Sequence, residues 1–320
     1  MKLTVFLCIL AILKGKQRDW RQPVPADEEE ADMLKLWIVG ASGQIGSAIN
    51  EVLDPLEMEV FNTDKEELDI TDTDEVLNFG VINRPDVIIN CAAVTDTDLC
   101  EKEPELAYRV NALGARNLSI VARKTGAKMV QISTDDVFDG IRHTPYTEFD
   151  DTNPKTVYGR SKRAGENYVK EFTHKHFILR SNWVYGNGNN FVNRVLHAAD
   201  TKDELLIASD QFGSPTSAKD LAKMIMYLIS TNEYGTYHVT CRGVCSRYEF
   251  AQEILKLAGK DIELRAVPTE QSDLSAVRPP YAVLDNFILR IIEVYDMPDW
   301  KESLKELSLI HISEPTRLRR

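Results

Sequence analysis

No stretch of this chain combines the length and apolarity of a membrane span. The run Thr4 to Leu13 falls well short of the ~20 residues that a spanning helix needs, and a charged block, Asp27-Glu28-Glu29-Glu30, follows it. It also lacks the Ala-x-Ala pattern of a cleaved leader, so an extension from an upstream start is expected, with Met33 as the natural beginning. Basic excess is absent too. The net charge of -12 argues against nonspecific nucleic-acid binding, which needs a cationic face. Cysteine is scarce, five in 320 residues, and Cys241 and Cys245 have neither the histidines nor the second cysteine pair of a zinc site. Dispersed thiols of this kind suit a reducing cytoplasm. No cluster of side chains suggests a metal, and His197 and His238 read as packing or surface residues. Repeats and low-complexity tracts are missing as well. What remains is a chain of about two domains by length, whose 43% hydrophobic content suits a globular α/β protein.

The positive signals begin with Leu34 to Val39, a short apolar strand pattern that runs into Gly40-Ala41-Ser42-Gly43-Gln44-Ile45-Gly46 and a helix-like run to Leu53. Gly40 suits a tight turn, Gly43 the approach of a pyrophosphate to the backbone, and Gly46 close helix–strand packing. The diphosphate would rest on the positive end of the helix. The spacing is G-x-x-G-x-x-G rather than G-x-G-x-x-G, and an ordinary glycine-rich turn reads the same way in isolation. Context favours a dinucleotide: a second strand, Met58 to Asn62, ends before Asp64, near the roughly 20-residue offset at which an acid meets the adenosine ribose. Asp64 favours a 2′-hydroxyl and the adjacent Lys65 a 2′-phosphate, which leaves NADH and NADPH both open.

Further alternation predicts a doubly wound parallel sheet. Asp86 to Asn90 is a third strand, followed by the small residues Cys91-Ala92-Ala93, where a cofactor could lie close. Glu105 to Thr125 has a helical pattern stopped by Gly126. Lys128 to Ile132 is a strand with Ser133-Thr134 at its carboxyl end, where open sheets bind ligands. Thr134 could therefore hold a substrate oxygen or merely cap the next loop. Phe177 to Arg180 is a further strand. Between these strands, Tyr158 and Lys162 stand four apart near a helix start and so share a face. An ammonium beside a phenol favours the phenolate and makes a proton donor suited to a carbonyl receiving hydride.

These residues in order, together with Ser133 to Gly140, Trp183-Val184-Tyr185-Gly186, Asp210 to Thr216 and Arg278-Pro279, carry a resemblance. From Met33 to Glu306 the chain resembles the extended short-chain dehydrogenase/reductases, most closely their deoxysugar-nucleotide 4-ketoreductases. The resemblance implies an NADPH- or NADH-dependent reduction of the 4-keto group of dTDP-4-dehydro-6-deoxy-L-mannose to dTDP-L-rhamnose. It implies Tyr158 as general acid, Lys162 as the group that lowers its pKa and holds the nicotinamide ribose, and Thr134 as the residue orienting the carbonyl. Gln44 and Ile45 would cover the pyrophosphate, Asp69 and Ile70 would lie near the adenine, and Ala92 and Ala93 would line the cofactor. Asp135, Asp136, Trp183, Asn189, Asn190, Gln211 and Arg278 would face the nucleotide-sugar.

Two positions depart from the family pattern: Asp136 and Val94 stand where relatives carry tyrosines near the substrate. Thr134-Asp135-Asp136 also resembles the Thr-Asp-Glu of nucleotide-sugar 4,6-dehydratases, but Val137-Phe138-Asp139-Gly140 follows the reductases. A non-catalytic nucleotide-binding subunit is the third reading, disfavoured by the joint presence of Thr134, Tyr158 and Lys162. The expected organisation is a dinucleotide domain from 33–185 plus 217–240 and a smaller, discontinuous substrate domain from 186–216 plus 241–306. In it, Arg247 to Leu257 and Gln271 to Tyr295 would form a lid. Relatives of this family often form homodimers. The segment 1–32 is an extension, and 307–320 matches a translated sequencing adapter.

Overall fold

The computed structural model describes residues 33–272, 279–293 and 296–313. The N-terminal run Thr4 to Leu13 and the last seven residues, like part of the stretch Gln271 to Tyr295, lie outside them. Strand β1 (Leu34–Val39) sits inside a six-stranded parallel sheet with β2 (Met58–Thr63), β3 (Val87–Asn90), β4 (Lys128–Thr134), β5 (His176–Ser181) and β7 (Gly235–His238), in the order β7-β5-β4-β3-β1-β2. The intervening β6 (Glu204–Ala208) pairs elsewhere, in parallel with β8 (Glu263–Val267). Alternation along β1 explains the two layers. Leu36 and Ile38 point to one face, where they join Ile49 of helix α1 (Gln44–Val52) and Leu221 and Ile225 of α6 (Ala218–Ile229). Trp37 and Val39 point to the other, against Val76 of α2 (Thr73–Asn83) and Leu118 and Val121 of α3 (Ala115–Thr125).

Helix α4 (Val157–Phe172) starts at Thr156, whose hydroxyl accepts from the Gly159 amide at 2.9 Å. Its buried face carries Tyr158, Lys162 and Glu166 at successive turns. A Cβ at Gly159 would lie 2.1 Å from the Asp136 carbonyl oxygen, so only glycine lets this helix start so close to the end of β4.

The helical pattern over 105–125 takes the form of a short helix Pro104–Tyr108, a π-helical turn Arg109–Gly114 and then α3. Asn111 accounts for the widening. Its Nδ2 donates to Val94 O at 3.1 Å and to Ser161 Oγ at 2.9 Å, and its Oδ1 accepts from Val94 N at 2.9 Å, ties that couple the turn to the loop after β3 and to α4. Gly126 ends α3 in the left-handed conformation, φ 79°, as a C-terminal stop should.

Strands β6 and β8 pack with α5 (Phe191–Thr201) and α7 (Arg247–Ala258). Phe250, Ile254 and Leu255 of α7 belong to the same apolar cluster as Leu221 of α6 and Leu36 of β1. The segment expected to act as a lid therefore also packs into a core continuous with that of the sheet. Helix α8 (Trp300–Ser313) continues past Glu306, and Leu307 is half-buried against that core.

Candidate active site

The strand order reverses at β1, with β2 on one side and β3 on the other, and that switch point opens the crevice where such sheets bind ligands. Gly40 turns the chain there with φ 76°, and a Cβ on it would lie 2.7 Å from the Ala92 nitrogen. Gly46 brings α1 against the turn, since its Cβ would lie 2.4 Å from Gly40 O. Gly43 differs. It is the N-cap of α1, with no side chain capping the helix, and a Cβ there would meet only Gly40 O, at 3.3 Å. Open backbone N–H groups at a helix start suit a diphosphate. Gln44 adds a buried Oε1 with no hydrogen-bond partner, an acceptor that a hydroxylated ligand would satisfy. The residues present thus fit a dinucleotide coenzyme.

Beyond the turn lies a cleft of about 780 Å³. On the sheet side it is lined by Gly43, Gln44, Ile45 and Ala93, at its centre by Thr134, Asp135, Tyr158 and Lys162, and on the far side by Trp183, Asn189, Asn190 and Gln211. Other expected residues stand apart. Gly40, Gly46 and Ala92 build the turn, and Asp64 binds the Ser42 amide through both carboxylate oxygens, at 3.2 and 3.0 Å, while Lys65 is exposed. Asp69 accepts from the Thr71 amide at 2.8 Å, and that hydrogen bond holds its carboxyl below the usual range. Ile70 is buried beneath Gly114. Asp136 is 1% exposed and lies outside the cleft lining. Arg278 lies outside the described residues.

Thr134 ends β4 with its hydroxyl donating to Asp135 Oδ1 at 3.0 Å and accepting from Asp136 N at 3.2 Å. Lys162 is buried, and burial lowers its ammonium to about 8, although Glu166 and Cys91 favour the charged form. The Cys91 thiol is pushed up to about 12 by burial, with Lys162 opposing. Asn190 is occupied structurally: its Oδ1 accepts from Asn193 N at 3.1 Å to cap α5, and its Nδ2 donates to Gly186 O at 2.7 Å. The neighbouring Asn189 carbonyl accepts from Gln44 Nε2 at 3.5 Å, which links this loop to the glycine turn.

Several cleft residues are not marked as site residues by the sequence, Ser181, Arg194 and Arg247 among them. Ser181 lies beside Thr134 in the β4–β5 register, and its buried hydroxyl has no hydrogen-bond partner. Arg194 and Arg247 line the far side. The pattern Ser246-x-x-Glu249 does signal a capping box, found here with both reciprocal bonds, and so marks Arg247 as the first helical residue. No local pattern says that this helix begins at the cleft.

A coenzyme turn at the switch point of a parallel sheet faces, across this cleft, a phenol and an ammonium one helical turn apart. That places the protein among the NAD(P)-dependent oxidoreductases, in the short-chain dehydrogenase/reductase class. The family model described as RmlD substrate binding domain matches residues 34–310. The spore coat polysaccharide biosynthesis protein SpsK of Bacillus subtilis is 40% identical over 86% of this chain and 96% of its own length. A dTDP-4-dehydrorhamnose reductase structure from Clostridium acetobutylicum is 45% identical with TM-score 0.84, covering 86% of this chain and 99% of that one. The Bacillus anthracis dTDP-4-dehydrorhamnose reductase in complex with NADP is 42% identical with TM-score 0.84, covering 87% and 99%. The chain belongs to the dTDP-4-dehydrorhamnose reductase family.

Proposed function

We propose that this protein reduces the 4-keto group of dTDP-4-dehydro-6-deoxy-L-mannose with NADPH or NADH, yielding dTDP-L-rhamnose. The observation that carries the reading is the convergence of Thr134, Tyr158 and Lys162 on the cleft that begins at the α1 N-terminus. Gly43, Gln44 and Ile45 would hold the coenzyme diphosphate, and Lys162 the nicotinamide ribose. The chemistry the coenzyme would supply when bound is hydride for C4 of the sugar. Tyr158 gives its phenolic proton to the C4 oxygen, so ketone, hydride and proton together make the alcohol. The Lys162 ammonium stabilises the phenolate left behind. Thr134, held by Asp135 and the Asp136 amide, orients the carbonyl once its single hydroxyl proton turns from Asp135 to the oxygen where negative charge develops.

Asp136 supports reduction over dehydration, because its carboxyl is buried and does not line the cleft. A panel of 4-ketohexose nucleotides, with product stereochemistry read by NMR, tests the assignment. Turnover of the 4-keto-rhamnosyl nucleotide to the L-rhamno product is expected. Coenzyme binding without turnover of any member would overturn it.

A further inference from the structure

Ser181, the last residue of β5, has no role in the chemistry above. Its side chain lines the cleft, yet the residue is 4% exposed and its hydroxyl finds no hydrogen-bond partner among the described residues. Burying a hydroxyl unpaired is costly, and an alanine would fill the same place without that cost. A partner supplied by a ligand accounts for the serine.

The backbone around it is fixed. Val239 N donates to Arg180 O at 2.8 Å on one side of Ser181. On the other, Asn182 Nδ2 donates to Ala282 O at 2.7 Å and its Oδ1 accepts from Ser214 N at 3.1 Å. The hydroxyl therefore stands at a set point, one strand further from the glycine turn than Thr134 and two residues before Trp183 of the far wall.

Ser181 pairs with Thr134 in the parallel register, so the two side chains leave one face of adjacent strands, roughly 4.7–4.9 Å apart. They differ in what they have left to offer. The Thr134 hydroxyl already donates to Asp135 and accepts from the Asp136 amide. Ser181 keeps both functions open, which suits a neutral group that gives and takes one hydrogen bond. Beside the C4 ketone of the sugar, C3 carries such a group, a hydroxyl, whereas C5 carries a methyl.

We propose that Ser181 holds the C3 hydroxyl of the sugar while Thr134 and Tyr158 hold the C4 oxygen, making the site selective for ketoses hydroxylated beside the ketone. This rests on the ketoreductase reading for the identity of the substrate. The nicotinamide carboxamide shares the chemistry of a hydroxyl, but Ser181 stands toward the far wall, away from the coenzyme turn.

The test compares kcat/KM for the 4-keto-rhamnosyl nucleotide and its 3-deoxy counterpart in wild type and Ser181→Ala. Wild type should prefer the hydroxylated sugar by about 10-fold, the scale of one neutral hydrogen bond. Ser181→Ala should lose most of that preference, keep its affinity for NADPH in calorimetric titration, and melt no earlier than wild type. An undiminished preference in the variant, or a loss confined to NADPH, overturns the proposal. Should Ser181→Ala fail to fold, Ser181→Cys, a weaker donor of similar shape, gives the same comparison. If wild type turns over neither nucleotide, the ketoreductase reading fails. Titration of both proteins with dTDP-L-rhamnose and its 3-deoxy counterpart then still decides Ser181.

Discussion

Glu166 and Arg180 are joined by two hydrogen bonds inside the molecule, Nη2 to Oε2 at 2.8 Å and Nε to Oε1 at 2.9 Å, with side chains 0% and 3% exposed. Ser133 Oγ adds a third bond to Oε1 at 2.6 Å, and Arg163 Nη1 lies 3.2 Å from Oε2. Burial works to raise the Glu166 carboxyl, but the hydrogen bond and charge of Arg180 bring it below the ordinary value. The cluster bolts α4 to β4 and β5, one turn below Lys162, and so sets where the catalytic pair stands.

Glu166→Ala should therefore be strongly destabilising, because it leaves a buried guanidinium without its main counter-charge. Removing one partner of a buried pair costs roughly 3–5 kcal/mol. Urea unfolding of the variant should show a loss of that order, and a change below about 1 kcal/mol would contradict the account.

The charge on Lys162 predicts a pH dependence with a definite sign. Its folded value of about 8 lies below the ordinary 10.5, so between these values the unfolded chain binds more protons and this group's contribution to stability rises with pH. Activity should move the other way. The ammonium is lost above about 8, and kcat/KM should fall through that value. Profiles of kcat/KM from pH 6 to 10 check this, and a rate still rising beyond pH 9 would remove Lys162 from the role.

Tyr158→Phe should retain coenzyme affinity and fold. Loss of a general acid is typically worth ~10²–10⁴-fold in rate. Fluorescence titration with NADPH, run beside single-turnover kinetics, separates the two effects.

Gly46→Ala should disturb the turn itself, because the added carbon would lie 2.4 Å from Gly40 O and 2.7 Å from the Ala41 Cα, both backbone. Overpacking of this kind costs about 1–3 kcal/mol. The variant should melt earlier and gain less from added NADPH in a thermal-shift assay than the wild type does.

Much of this was legible in the chain. Strand β1 was readable to the residue because its central positions are buried on both faces and its glycine turn follows at once. The Tyr158–Lys162 pair was readable because four residues make one helical turn. What escaped depends on tertiary contacts. The π-helical turn exists because Asn111 bonds Val94 and Ser161, residues 17 and 50 positions away. Ser181 becomes a site residue only through its register with Thr134, and Arg247 only because α7 begins against Gln211. Asp136 illustrates the converse, a residue near Thr134 in sequence that the short 3₁₀ turn Asp135–Val137 buries outside the cleft lining.

The most direct test follows the hydride. Given coenzyme deuterated at the transferring C4 position of its nicotinamide ring and the 4-keto-rhamnosyl nucleotide, the protein should place one deuterium on C4 of the sugar for each coenzyme oxidised. Deuterium missing from the sugar, or sugar conversion without net coenzyme oxidation, would contradict a ketoreductase.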